Sequence, residues 1–412
     1  MSHGQEHAYI NKSQRQSLLH CFLFDPSIYI SLLVSIEGKI SSGEIKEAVE
    51  KAYTQNETTM SKVVLEHGKA YFQNISETGC KVFIEERDWR EIMYESERNT
   101  FKINQGELFR TYIIPKEEGY QLLVMAHHIA GDGKALLIIL EDILANLSGK
   151  EVEYKPLNTE WTPNMKSGLK APLAAQVFIK SLNYIWEKNG KVFSWDDYYE
   201  IHEKFWKRRK SDVQFEMIEK EELETIKAEC RALGVTVNSY IITKILQKYT
   251  EYETFSFPIS LRGKNRSISN QVILVRLKYK YDLKKTFNEN TAAVHRKIQQ
   301  YVENERKKYF IFLNLGLFNP ILVDSSLMYT YAGYKNRISK IAANLIGYSG
   351  KNKTHLGITN LTNIEIQADY GNFKVTNAAG IAARMSASRA VICFGSFQGR
   401  MTIAYSNVKL EA

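Results

Sequence analysis

Residues 126–133 read Ala-His-His-Ile-Ala-Gly-Asp-Gly, and this run decides the fold. It continues a predicted strand, Tyr120–His127, which forms a hairpin with the predicted strand Leu108–Ile114. A helix is predicted from Gly133 to Leu147, and we expect it to be deeply buried because apolar residues cover nearly its whole circumference. The two histidines therefore lie at a strand end before a buried helix, where a rigid scaffold presents a loop.

Three residue types in this run suit acid–base chemistry. A histidine such as His128, with a pKa near neutrality, can take a proton from a hydroxyl or amine that attacks a thioester carbonyl. Asp132 can turn back and hold the loop, while Gly131 and Gly133 allow a tight turn and close approach of a substrate. The alternative interpretation is that His127 and His128 are two core histidines at a strand end.

Strand and helix patterns alternate along the chain and start again in its second half. A strand around Ile30–Ile36 is followed by a capping box, Ser41–Glu44, that opens a helix. Residues 148–170 combine prolines and glycines with few apolar residues and form the best linker candidate. The length of 412 residues favours two domains. We predict an α+β fold with mixed sheets, divided into 1–165 and 166–412.

Composition narrows the class of protein. Hydrophobic residues make up 44% and charged residues 25%, which is typical of a soluble globular protein. The N-terminus lacks a secretion signal and no segment approaches the roughly 20 apolar residues of a membrane span, so we expect a cytoplasmic protein without integral membrane contact. The net charge of +9 favours anionic partners. No nucleic-acid-binding motif accompanies the densest basic cluster, Lys204–Lys210, and nucleic acid is not an expected partner.

The cysteine pattern argues against a disulfide framework. Four cysteines lie far apart in the chain without a paired Cys-x-x-Cys spacing. We expect all four to be reduced and mostly buried. Zinc binding by His127, His128 and Asp132 is also disfavoured, because no further histidine or cysteine lies at ligand spacing. No metal site is predicted.

Residues 127–133 match the motif His-His-x-x-x-Asp-Gly, and weaker matches to the same family occur in order along the chain. They are Phe101–Arg110, Leu233–Asn238, Pro258–Arg262, Ile358–Leu361 and Phe397–Ile403. On these motifs the chain resembles the HHxxxDG acyltransferase superfamily. That superfamily contains chloramphenicol acetyltransferases, condensation domains of peptide synthetases, plant BAHD acyltransferases and alcohol O-acetyltransferases.

The resemblance implies two chloramphenicol-acetyltransferase-like subdomains arranged as a V around a central channel. It implies that His128 is the general base and that His127 supports it. Asp132 would point away from the substrate and pair with Arg262 to fix the loop. Backbone N–H groups near Gly133 would stabilise the oxyanion.

The second half supplies two further candidates. Asn360, in the matched strand, is a weaker candidate for the oxyanion site. His355 lies at the start of a predicted channel-facing strand and is a candidate substrate contact. With the histidine loop, these residues complete the predicted site.

The function implied is that of a stand-alone acyltransferase, chiefly an O-acyltransferase similar to alcohol acetyltransferases. Its cosubstrate would be acyl-CoA or an acyl-phosphopantetheine thioester on an acyl or peptidyl carrier protein, and no cofactor would be bound permanently. The acceptor would be an alcohol or an amine. Neither the acceptor nor the acyl length follows from the sequence.

Three alternatives stay open. The first is a free-standing condensation enzyme of a nonribosomal peptide pathway, although residues 53–60 lack the expected Arg-His-x-x-Leu-Arg element and no carrier or adenylation segment is attached. The second is a glycerol-phosphate acyltransferase, whose His-x-x-x-x-Asp spacing is satisfied by His127 and Asp132 but whose phosphate-binding block is absent. The third is a non-catalytic docking module of the same fold.

Overall fold

The computed structural model describes residues 14–157, 169–263, 266–349, 355–383 and 390–410. Its fold is α+β with mixed sheets, as predicted. The described strands are β1 Tyr29–Gly38, β2 Ser61–Glu66, β3 Lys69–Asn74, β4 Lys81–Ile84, β5 Phe109–Lys116, β6 Gly119–His127, β7 Arg209–Ile218, β8 Thr254–Ser260, β9 Val272–Lys278, β10 His355–Asn363, β11 Phe373–Ile381, β12 Ala390–Phe397 and β13 Arg400–Leu410.

Two sheets carry most of these strands. The first has the order β11-β1-β6-β5-β4, and only its β4–β5 pair is parallel. The second has the order β7-β13-β12-β10-β8-β9, in which β10 runs parallel to both of its neighbours. Strands β2 and β3 form the separate hairpin that their sequence predicts.

Helices cover and connect the sheets. The described helices are α1 Gln14–Leu23, α2 Ser42–Thr54, α3 Trp89–Arg98, α4 Gly133–Leu147, α5 Leu173–Asn189, α6 Trp195–Trp206, α7 Lys220–Leu233, α8 Val237–Lys248, α9 Phe287–Glu303, α10 Glu305–Lys308, α11 Phe310–Leu315, α12 Pro320–Leu327 and α13 Arg337–Ile346. The predicted capping box at the start of α2 is present, with Ser41 and Glu44 bonded to each other's backbone N–H. Helix α4 packs against α2 and against β1 and β6, which explains its apolar circumference.

The second half of the chain contributes one strand to the first sheet. Strand β11 comes from the second half but pairs antiparallel with β1, with Leu33 opposite Ala379. The first sheet therefore includes residues from beyond the predicted boundary at 165. Alternating hydrophobicity identifies a strand but does not identify its partner, so the sequence did not indicate that β11 pairs with β1.

Several elements differ from the sequence prediction. The sequence pattern predicts one long helix around Phe287–Tyr309, but α9 stops at Glu303, because the side chain of Asn304 caps a new short helix by accepting the N–H of Lys307. Helices α1, α11, α12 and α13 were not predicted. About half of the predicted linker 148–170 lies outside the described residues, since 158–168 are not described.

A buried hydrogen bond joins α1 to α12. His20 of α1 contacts Asp324 of α12 at 2.7 Å between Nδ1 and Oδ2, and both side chains are almost fully buried. Burial raises the pKa of Asp324, while His20 acts to lower it. The pair fixes α1 against α12, and α1 in turn lines the cavity described next.

Candidate active site

A cavity of about 310 Å³ lies between the two sheets. Strands β1 and β11 of the first sheet and β8, β9, β10 and β12 of the second contribute to its wall, together with α1 and α11. Most of the lining is apolar. A mostly apolar pocket with a few polar groups is the usual form of a small-molecule site.

The histidine loop enters this cavity from the end of β6. The backbone N–H of His128 donates to the carbonyl of Ile28 at 2.9 Å, which continues the β1–β6 pairing by one residue. The carbonyl of His128 accepts a hydrogen bond of 2.6 Å from Nδ2 of Asn270. Both bonds hold the backbone of His128, so its imidazole is presented from a fixed position.

His128 lines the cavity and stacks on an aromatic ring. Its imidazole lies 4.7 Å from the ring of Phe22 between centroids, and the two planes differ by 13°. Burial lowers the pKa of His128 from its ordinary value, while its own backbone, the charge of Asp132 and the side chain of Asn270 act in the opposite direction. The neutral imidazole is therefore the favoured form, and only this form can accept a proton.

His127 has a different environment. It is completely buried beside the rings of Tyr29, Phe101 and Tyr198, and it does not line the cavity. Its Nδ1 accepts the backbone N–H of Ile129 at 3.2 Å. Burial holds the pKa of His127 well below its usual value. The structure places His127 in the core behind the loop, in agreement with a supporting role.

Asp132 and Arg262 form the predicted pair. Nη2 of Arg262 lies 2.8 Å from Oδ1 of Asp132, and both side chains are buried. The same carboxylate accepts the N–H of Ala135 at 3.0 Å as the cap of α4, and the N–H of Gln271 at 2.9 Å. Arg262 also donates to the carbonyl of Ser269 at 2.6 Å. Asp132 is thus a brace of the loop, because its oxygens bond to the protein and it does not line the cavity.

The two glycines of the loop differ in how much space surrounds them. A Cβ at Gly131 would lie 2.4 Å from the Cβ of Ala135, which leaves no room for it, whereas a Cβ at Gly133 would lie 2.7 Å from Cδ2 of Leu361, the end of a side chain that can shift. Gly133 lines the cavity and begins α4, whose first N–H groups have no acceptor within the helix.

The structure separates the two candidates of the second half. Asn360 does not line the cavity: its Nδ2 donates to Asn238 at 3.1 Å and its Oδ1 accepts the N–H of Thr362 at 2.6 Å. The oxyanion role expected for Asn360 therefore finds no support here. His355 does line the cavity and is 2% exposed.

Sequence reasoning missed several polar residues of the cavity wall, among them Ser256 and Arg276. Ser256 Oγ lies 3.1 Å from Nε2 of His355. A signal for Arg276 was present, because it is the single charged residue in the apolar run Val272–Leu277 of β9. A charged side chain within an apolar run is unusual.

The two cysteines of the cavity wall are poor candidates for a nucleophile. All four are free and buried, as expected. Cys21 and Cys393 line the cavity, but burial raises the pKa of each thiol to about 12. A thiol with such a pKa carries almost no thiolate at neutral pH.

Other features of the described part of the chain complete the picture. Its histidine, cysteine and carboxylate side chains nowhere gather in a group of three that could hold a metal ion. Its helices are all too short or too polar to cross a membrane. The basic cluster Lys204–Lys210 lies at the junction of α6 and β7, and none of its residues lines the cavity.

Comparison with known proteins identifies the family of the chain. A family model of the condensation domain matches residues 4–273, more than half of the chain. The chain belongs to the condensation-domain family. A dimodular nonribosomal peptide synthase of Bacillus subtilis (strain 168) is 26% identical over 161 residues, which are 36% of this chain and 7% of that synthase. The chain thus corresponds to a small part of that relative.

Solved structures share the fold over nearly the whole chain. The first condensation domain of the calcium-dependent antibiotic synthetase, bound to a substrate analogue, has a TM-score of 0.60 at 11% identity, with 98% of this chain and 91% of that chain covered. Polyketide synthase associated protein 5 of Mycobacterium tuberculosis has a TM-score of 0.59 at 10% identity, with 99% and 94% covered. Trichothecene 15-O-acetyltransferase of Fusarium sporotrichioides has a TM-score of 0.58 at 11% identity, with 96% and 89% covered. The fold is therefore shared by condensation domains and an acetyltransferase.

Proposed function

We propose that this protein is an acyltransferase that moves an acyl group from a thioester to a hydroxyl or amine, with His128 as the general base. The observation that carries the proposal is the position of His128. It is the histidine of the loop that lines the cavity, its backbone is held by Ile28 and Asn270, and burial favours its neutral form.

The reaction needs no covalent enzyme intermediate. The acceptor gives its proton to His128 while its oxygen or nitrogen attacks the thioester carbon. The carbon–sulfur bond breaks, and the proton passes from His128 to the departing thiolate. The products are an ester or an amide and a free thiol. Backbone N–H groups at the start of α4, near Gly133, are the donors that we propose for the oxyanion.

Two kinds of acyl donor fit the proposal. With either of them, we propose that the protein acts in the cytoplasm. The likeness to an O-acetyltransferase favours acyl-CoA. The condensation-domain match favours a phosphopantetheine thioester on a carrier protein, which would make the protein a condensation enzyme. Turnover with acyl-CoA alone supports the first; turnover only with an acylated carrier protein supports the second.

The test of His128 is a thiol-release assay with a panel of acyl-CoA and acyl-carrier thioesters and of alcohols and amines. We expect His128→Ala to lower kcat/KM by about 10²–10⁴, the usual contribution of a positioned general base. His67→Asn is the matched control: His67 is exposed, lies in the β2–β3 turn with φ of 50°, and asparagine tolerates that conformation. Equal thiol release by the wild type and His128→Ala, both folded by circular dichroism, would remove His128 from the mechanism.

A further inference from the structure

The second sheet presents a small polar surface to the cavity, formed by Ser256 of β8, Arg276 of β9 and His355 of β10, here named the Arg276 patch. Ser256 and Arg276 are direct cross-strand partners in the antiparallel pair β8–β9, so their side chains leave the same face of the sheet. Gly357 of β10 lies beside Ser256 and adds no side chain there. The three polar side chains are thus grouped in a wall that is mostly apolar.

Arg276 lacks a counterion. Within the described part of the chain its guanidinium forms no ion pair or hydrogen bond, and its Nε is buried without a partner. The buried arginines Arg110 and Arg262 differ: Arg110 pairs with Glu107 at 3.0 Å and Arg262 pairs with Asp132 at 2.8 Å. Arg276 is half-buried, and a charge that has lost part of its water without gaining a partner is destabilised. Binding of an anion would offset that destabilisation.

His355 and Ser256 provide a hydrogen-bond donor to the same place. Burial, with the nearby charge of Arg276, lowers the pKa of His355 to about 4, so the imidazole is neutral and carries one N–H. The Ser256–His355 bond uses one of the two hydrogens of this pair. Depending on the tautomer of His355, the other hydrogen lies on the Ser256 hydroxyl or on Nδ1 of His355, which is buried, and neither atom has a further acceptor among the described residues.

We propose that the cavity binds a largely apolar substrate that carries one carboxylate, held by the Arg276 patch. One guanidinium and one neutral donor match the single negative charge and the two oxygens of a carboxylate. The apolar remainder of the wall, including Leu274 and Ile358, matches a hydrocarbon body. This inference rests on the proposed function, because it names the class of substrate for the same cavity. The carboxylate belongs either to the acyl donor or to the acceptor.

Binding is tested apart from turnover by calorimetry with octanoate and octanamide, which have the same length and differ in charge. We expect the wild type to bind octanoate about tenfold or more tighter, since a charge-assisted pair is roughly twice as strong as a neutral bond. Arg276→Gln should abolish the preference, Arg276→Lys should keep part of it, and His128→Ala should leave it unchanged. Equal binding of the two probes by the wild type, no binding of octanoate, or an unchanged preference in Arg276→Gln would overturn the proposal.

Ser256→Ala is a second variant, which keeps the charge and removes only the hydroxyl, and we expect a smaller loss of the octanoate preference. Turnover then distinguishes the source of the carboxylate. Faster turnover of octanedioyl-CoA than of octanoyl-CoA assigns it to the donor, and faster turnover of leucine than of leucinamide assigns it to the acceptor. Octanoate preference without any thioester turnover would leave the carboxylate site standing and remove the proposed acyl transfer.

Discussion

Arg262 and Arg276 lie close together in sequence, at the end of β8 and in β9, yet they have opposite environments. Arg262 is buried and bonded to Asp132 and to the carbonyl of Ser269. Arg276 lines the cavity and has no partner among the described residues. Arg262, whose charge is neutralised by Asp132, stabilises the structure. Arg276, which has no partner in the cavity wall, is available to bind a ligand.

The largest effect on the free energy of unfolding is expected from breaking the Asp132–Arg262 ion pair. Arg262→Gln would leave Asp132 as a buried charge without its cation, and we expect a loss of about 3–5 kcal/mol in the free energy of unfolding. Urea unfolding measures this loss. The control is Arg266→Gln, which removes an exposed partner of Glu141 and should cost no more than about 1 kcal/mol. Equal losses in the two variants would contradict the role of Asp132–Arg262 as a brace.

Arg276→Met should not lower the free energy of unfolding, in contrast to Arg262→Gln. Methionine fills a similar volume without a charge, and replacing an unpaired half-buried cation with an apolar side chain is expected to be neutral or to stabilise by about 1 kcal/mol. The same urea experiment measures it. A loss as large as that of Arg262→Gln would mean that Arg276 already has a structural partner, and the contrast between the two arginines would fail.

A smaller effect is expected on the pKa of His355. The charge of Arg276 disfavours the imidazolium form and so lowers this pKa, which lies at about 4. Removal of the charge in Arg276→Met should therefore raise the pKa of His355, while Arg266→Met should leave it where it is. NMR titration of the histidine ring signals measures both, and an unchanged pKa in Arg276→Met would place the guanidinium farther from His355.

The smallest difference between the wild type and Arg276→Met is expected in the pH dependence of kcat/KM. Because burial lowers the pKa of His128, the neutral base persists as the pH falls, and the acid limb of kcat/KM should have its midpoint below 6.5. Arg276→Met should keep this limb, since Arg276 is not among the groups that shift the pKa of His128. A midpoint above 6.5 in the wild type would argue that a group other than His128 is the base.

The sequence predicted the histidine loop and its brace well, because both are local or motif-based. Residues 127–133 form a strand end, a turn and a helix cap whose geometry follows from their own types, and Arg262 was reached through a resemblance. His355 was predicted from its strand position. Arg276 was missed although its charge interrupts an apolar run, because a single sequence does not show which face of a strand meets a cavity.

The remaining differences have a common physical cause. Helix α12 and the His20–Asp324 pair depend on contacts between residues that are far apart in the chain. Asn360 was expected in the site, but its amide groups bond to Asn238 and Thr362. Long-range partners of this kind are decided by the packed structure and leave no local pattern.

Because β1 pairs with β11, the first sheet can be completed only late in translation. Strand β1 leaves the ribosome early, but its partner β11 is made only when most of the chain has been translated. At roughly 5–20 residues per second, one edge of β1 waits for tens of seconds without its neighbour. An open strand edge is a template for pairing with other chains. Translation itself is therefore the period in which this protein is most exposed to misassembly, and a nascent chain that stalls before Phe373 cannot complete its first sheet.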